Sequence, residues 1–157
     1  MKISYKVERI TDALIEEVTP ILEDHRVELQ SDKDMRLNPD WDAYRMMDAA
    51  GKFMWLIARD EDGIIVGYSA FVISNNLHYK DFLYAIEDVF YVVGDKRGSR
   101  IGVNLVRKSE QLLGDLGVDM ITHHAKFTNE FAPFLERLGY APKETLLAKR
   151  LSDVKQF

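Results

Sequence analysis

A mixed α/β fold with a mainly antiparallel sheet is what the sequence predicts, and three observations carry it. Residues 53–58 and 64–73 are apolar strands on either side of Asp60-Glu61-Asp62-Gly63, a hairpin turn that pairs them antiparallel. The apolar run 82–93 feeds a basic, glycine-rich loop, after which Ile101, Leu105, Leu112 and Leu116 recur on one helical face. Residues 118–124 then form another strand, and two strands joined through a crossover helix make a parallel pair. The 157 residues suit one domain spanning 1–157, long enough to bury about two-thirds of its unfolded surface without metals or disulfides.

Each remaining element has its own local reason. Ile3, Tyr5 and Val7 alternate with polar residues as a half-buried strand does. Thr11 or Asp12 caps a helix through Leu14, Ile15, Val18, Ile21 and Leu22, which Pro20 is expected to kink or divide. The polar residues 30–37 form a loop. Asn38-Pro39 is expected to start a second helix as cap and first-turn proline, with Trp41, Tyr44 and Met47 on one face and Gly51 at its end. That aromatic stripe reads as core or as one wall of a substrate cleft. Ser74-Asn75-Asn76 opens a loop after the hairpin. The helix from Gly102 ends at Gly117. Thr128 or Asn129 caps a short helix carrying Phe131, Phe134, Leu135 and Leu138 and closed by Gly139, and residues 143–151 form a last strand.

Composition narrows the function classes. A net charge of −5 argues against a general nucleic-acid or membrane-surface binder, which presents an excess of Lys and Arg as a patch. No cysteine is present, so disulfides, thiolate chemistry and cysteine-based zinc sites are excluded. The N-terminus lacks the apolar core of a signal peptide, and no uninterrupted apolar run approaches the ~18 residues of a membrane span, so a cytoplasmic location is expected. His123 and His124 are neighbours on a strand and point to opposite faces, which rules out joint chelation of one metal; His25 and His78 are isolated. No metal is expected. There is no G-x-S-x-G elbow and no H-E-x-x-H.

The chemistry concentrates in residues 94–102. Gly94, Gly98 and Gly102 allow a tight turn and close approach of a ligand, while Lys96, Arg97 and Arg100 set three cations beside the unpaired amides of a helix start. That combination favours a bound phosphate. By itself the loop also admits the plainer reading of a basic turn whose glycines only close the chain.

Arg97-Gly98-Ser99-Arg100-Ile101-Gly102 resembles the acetyl-CoA pyrophosphate loop of the GNAT acyltransferases, [Q/R]-x-x-G-x-[G/A], with Arg100 where a glycine is usual. Asn129-Glu130-Phe131-Ala132 and the closing Leu138-Gly139-Tyr140 resemble a later motif of the same family, in the right order. With Lys149-Arg150-Leu151, these features are most similar to the small GNAT proteins of tailed bacteriophages. The resemblance implies a central sheet with helices on both faces, acetyl-CoA as co-substrate, and an amine acceptor, small molecule or protein lysine, lying against the helical segment after the first strand. It also allows for a homodimer.

The resemblance implies the following site. Arg97, Gly98, Ser99, Arg100, Ile101 and Gly102 hold the pyrophosphate; backbone N–H groups of Phe90, Tyr91 and Val92 polarise the thioester carbonyl; Asn129 meets the pantetheine arm. Glu87 lies near where some members carry a catalytic glutamate and is the expected base or water-positioning group; Asp88 points to the opposite strand face, so one of the two carboxylates should face the cleft. Leu135 stands where members often have a tyrosine that protonates the leaving thiolate. Leu135 and Arg100 motivate a rival of another class, a GNAT-shaped module that binds CoA or a protein partner with little turnover.

Overall fold

A computed structural model describes residues 2–153. Five strands, β1 (Ser4–Val7), β2 (Phe53–Arg59), β3 (Ile65–Asn75), β4 (Leu83–Val92) and β5 (Met120–Thr122), form one sheet in chain order. The first three pairings are antiparallel and β4–β5 is parallel, as the crossover helix requires. Four α-helices, α1 (Asp12–Leu29), α2 (Trp41–Ala49), α3 (Ile101–Asp115) and α4 (Phe131–Arg137), cover both faces.

β2 is buried on both faces, and its alternation sorts the core. Phe53, Trp55 and Ile57 pack with Leu14, Val18 and Leu22 of α1 and with the Trp41, Tyr44 and Met47 stripe of α2. Met54, Leu56 and Ala58 face Ile101, Leu105 and Leu113 of α3. Gly67 permits the closest approach: a Cβ there would lie 2.9 Å from the Tyr91 carbonyl oxygen and 3.2 Å from Leu105 Cδ1. Arg59 ties β2 to its neighbours, its guanidinium bonding both oxygens of Glu8 at 2.8 Å and those of Glu17 in α1 at 2.5 and 2.7 Å.

Three local expectations are corrected. Pro20 does not divide α1, because it sits on the exposed face where the Glu16 carbonyl can be hydrated, while Leu14, Val18 and Leu22 anchor the buried face. The cap of α2 is Asp40, whose Oδ1 accepts the Ala43 N–H at 3.0 Å, so Asn38 and Pro39 precede the helix. Residues 143–151 form no strand: their apolar residues do not alternate, and Leu146, Leu147 and Leu151 are 82–90% exposed. β3 runs two residues past Ile73, and β5 is the short centre of the expected 118–124.

Candidate active site

The site opens where two strands part. β4 and β5 pair only at Tyr84, Ala85 and Ile86 opposite Met120, Ile121 and Thr122. Beyond them lies a cleft of about 940 Å³, walled by the C-terminal turn of α1, β4 from Glu87 to Val92, the glycine loop, the start of α3, and α4.

The loop supplies backbone donors at one end of this cleft. A single 3-10 turn over Gly94–Lys96 leads to Gly98, whose φ of +79° is a conformation that glycine adopts without strain. Ser99 Oγ donates to the Lys96 carbonyl at 2.6 Å, which fixes the turn before α3. The first-turn amides of α3, including those of Gly102 and Val103, have no intrahelical acceptor and carry the positive end of the helix dipole. A Cβ on Gly102 would meet Phe134 Cζ at 3.5 Å, an ordinary van der Waals contact, so α4 packs closely over the start of α3. Among the described residues no hydrogen bond or ion pair engages the side chains of Lys96 or Arg100. Arg97 is different: its Nε donates to the Val92 carbonyl at 3.0 Å and its two Nη groups bond Glu28 of α1.

Along β4, backbone direction separates the three expected carbonyl donors. The Val93 N–H goes to the Val66 carbonyl of β3, so by alternation the Tyr91 N–H also faces β3, and those of Phe90 and Val92 face the open side. Tyr91 contributes its side chain instead, stacked on His25 at 4.6 Å and donating from Oη to Glu28 at 2.9 Å.

A bulge divides the two carboxylates. Ala70 pairs with Val89 and Phe71 with Glu87, which leaves Asp88 as the extra residue of β4 and turns it and Val89 toward α1 and α2. Tyr44 Oη donates to Asp88 Oδ2 at 2.6 Å. Burial raises the Asp88 carboxyl, opposed by the Tyr44 bond and by His124. Glu87 points to the other face, 7% exposed, with its Oε1 2.8 Å from His123 Nδ1. Four rings, Phe71, Phe90, Phe131 and Tyr140, stand around that histidine. Asn129 lines the cleft with its Oδ1 committed to the Phe131 N–H at 3.1 Å, so Nδ2 remains for a ligand. Leu135 is buried and offers the cleft nothing.

Residues 15–140 match the acetyltransferase (GNAT) family. The chain belongs to that family. No curated relative matches it at the level of sequence. The GNAT fold is shared with a ribosomal-protein-alanine N-acetyltransferase of Brucella melitensis, at TM-score 0.72 and 19% identity over 96% of this chain and 100% of that one. An aminoglycoside acetyltransferase from an uncultured soil metagenomic sample superposes with TM-score 0.73 at 18% identity, covering 97% and 100%. A predicted acetyltransferase of Clostridium acetobutylicum, solved with acetyl-CoA, does so with TM-score 0.69 at 13% identity, covering 96% and 97%.

Within this GNAT cleft the sequence motifs lead to the loop and to β4, but they miss the wall contributed by α1. His25 is not isolated: Nδ1 lies 2.8 Å from Tyr68 Oη, and burial pushes its imidazole down to about 4. The only advance signal was the spacing of Leu22, His25 and Glu28, three residues apart on one helix face.

Proposed function

We propose that this GNAT protein transfers the acetyl group of acetyl-CoA to a primary amine by direct attack. The observation that carries the reading is a single cleft joining an amide-rich loop at the α3 N-terminus to a carboxylate beside α1 and α2. Lys96, Arg97, Gly98, Ser99 and Gly102 line the pyrophosphate end. Arg100 and Ile101 belong to the same turn, the Ile101 side chain lying in the core beside Leu56 and Ala58, so its part is confined to the backbone. The pantetheine arm runs past Asn129 and Phe90. The N–H groups of Phe90 and Val92 stabilise the oxyanion that forms when the amine nitrogen bonds the carbonyl carbon and the electron pair moves to oxygen.

Of the two carboxylates, geometry favours Asp88 over Glu87 for receiving the amine proton. Asp88 faces the helices where acceptors of this family lie, and its raised pKa suits a base better than that of a fully solvated aspartate. Glu87 lines the cleft from the opposite face and is engaged by His123. As the carbon–sulfur bond breaks, the thiolate takes its proton from water in the open cleft, since Leu135 has none to give. The acidic chain suits a cationic acceptor, a small polyamine-like molecule or a lysine side chain. Buried Leu135 favours a second reading, a CoA-binding module that holds a protein partner with little turnover, in a phage setting a host protein. A homodimer belongs to this proposal too, supported by the open β5 edge and the exposed leucines of residues 146–151.

Calorimetric titration of CoA and acetyl-CoA tests the reading. Wild type should bind with Kd near 1 μM, about −8 kcal/mol. Gly102→Glu, which puts a carboxylate among the free amides, should abolish binding while melting at a similar temperature. With an amine acceptor in hand, Asp88→Asn should bind CoA normally and release it at least about 100-fold more slowly during turnover. A wild type that binds neither ligand defeats the acetyltransferase reading; one that binds but never releases product favours the second.

A further inference from the structure

Three of the five N–H donors of Arg97, including one on each Nη, are taken up within the protein. Nε serves the Val92 carbonyl, Nη1 and Nη2 serve the two oxygens of Glu28, and the guanidinium carbon lies 5.1 Å from the centre of the Tyr91 ring. Glu28 is equally committed, receiving Arg97 and Tyr91 Oη on one carboxylate. The same turn of α1 is held from the opposite side of the cleft by Lys126, whose Nζ donates to the Leu29 carbonyl. The acceptor helix is therefore fastened to the phosphate loop through one ion pair.

That fastening is breakable. Both side chains are about two-fifths exposed, Arg97 at 43% and Glu28 at 38%, and ion pairs so hydrated contribute little. A pyrophosphate at the α3 N-terminus carries more negative charge than one carboxylate and is backed by free amides and the helix dipole. Arg97 belongs to the segment that would hold it, and its paired Nη1–Nη2 edge and single positive charge face Glu28, so anion and carboxylate compete for that edge.

We propose that Glu28 and Arg97 form a latch in which the cofactor's phosphates displace the Glu28 carboxylate from Arg97, so that cofactor binding is reported to α1. Released Glu28 stands beside Tyr91 Oη on the α1 side of β4, its charge no longer balanced, and a cationic amine entering there meets an anion that was masked before. The two sites are thereby coupled with the sign that favours a cofactor-loaded protein binding a cationic acceptor. The latch rests on the reading that this cleft binds CoA.

A double-mutant cycle read by calorimetric titration of CoA tests it. Glu28→Gln frees Arg97 and should tighten CoA by about fivefold or more, Arg97→Gln should weaken it, and Glu28→Gln added to Arg97→Gln should bring no further gain. Both changes are conservative and half-exposed, and thermal melts confirm the fold. If Glu28→Gln leaves CoA affinity unchanged or weaker, the latch is wrong. If its gain persists in the Arg97→Gln background, Glu28 acts only as a repelling charge, and the latch is again wrong. Failure of the wild type to bind CoA would remove the underlying reading and the latch together.

Discussion

His25 shows how one residue records the burial of the cleft wall. Desolvation, with lesser help from Lys126 and Arg97 and against Glu28, lowers its imidazole from 6.5 to about 4. Between those values the unfolded chain binds the proton and the folded chain does not. Stability is therefore complete above pH 6.5 and falls as pH drops toward 4, by about 1.4 kcal/mol per unit or ~3 kcal/mol in all. Urea unfolding of His25→Gln should show a flatter pH dependence across this window, even though loss of the Tyr91 stack lowers its stability at pH 7. Parallel curves for the two proteins would show that His25 does not titrate this way. The sequence marked His25 as isolated, because its partners Tyr68 and Tyr91 arrive from β3 and β4, more than forty residues away.

At the scale of elements, the chain's first helix is held by packing on one face and by charge at its edge. Arg59 joins β1, α1 and β2 through Glu8 and Glu17, and its bond to Glu17 holds that carboxyl below 4.5. A depressed carboxylate contributes fully above 4.5 and loses its contribution as pH falls through its folded value. Arg59→Met, which keeps the stem and removes the charge, should cost about 2 kcal/mol at pH 7 in urea melts. That difference should shrink as pH falls from 4.5 through the lowered folded value of Glu17, below which Glu17 is protonated in both proteins; a constant difference would assign the loss to packing alone. Helix starts were the least legible elements. Asp40 rather than Asn38 caps α2, and Pro20 sits within an unbroken α1, because burial of Leu14, Val18 and Leu22 outweighs one missing backbone bond.

Across the whole molecule, the sheet ends at an open edge. Among the described residues β5 has no neighbour beyond β4, a groove of about 300 Å³ lined by Glu110, Asp119, Met120, Ile121 and Tyr140 lies beside it, and residues 143–151 carry exposed leucines and three cations, of which Arg150 is already paired with Asp34. An acidic groove and a basic, apolar tail suit each other across two copies. Light scattering should find a dimer for the wild type and a monomer for Leu146→Glu, Leu147→Glu, whose changes are solvent-exposed in the monomer. A monomeric wild type at high concentration would end the homodimer proposal.

The sequence by itself determined the five strands of the sheet, the late parallel crossover and the glycine loop, because each depends on local matters: alternation, helical spacing and turn chemistry; it also read residues 143–151 as a sixth strand, which does not form. It also singled out Glu87 and Asp88 as a pair and set them on opposite faces. Only tertiary structure decided which face is which, since a bulge at Asp88 re-aims β4 and the partners Tyr44 and His123 come from distant elements. The same holds for Arg97, a phosphate-loop residue by motif, whose hold on Glu28 exists only because folding brings the end of α1 against the loop. Local propensity is written along the chain, whereas charge pairing across a cleft depends on where packing sets each helix.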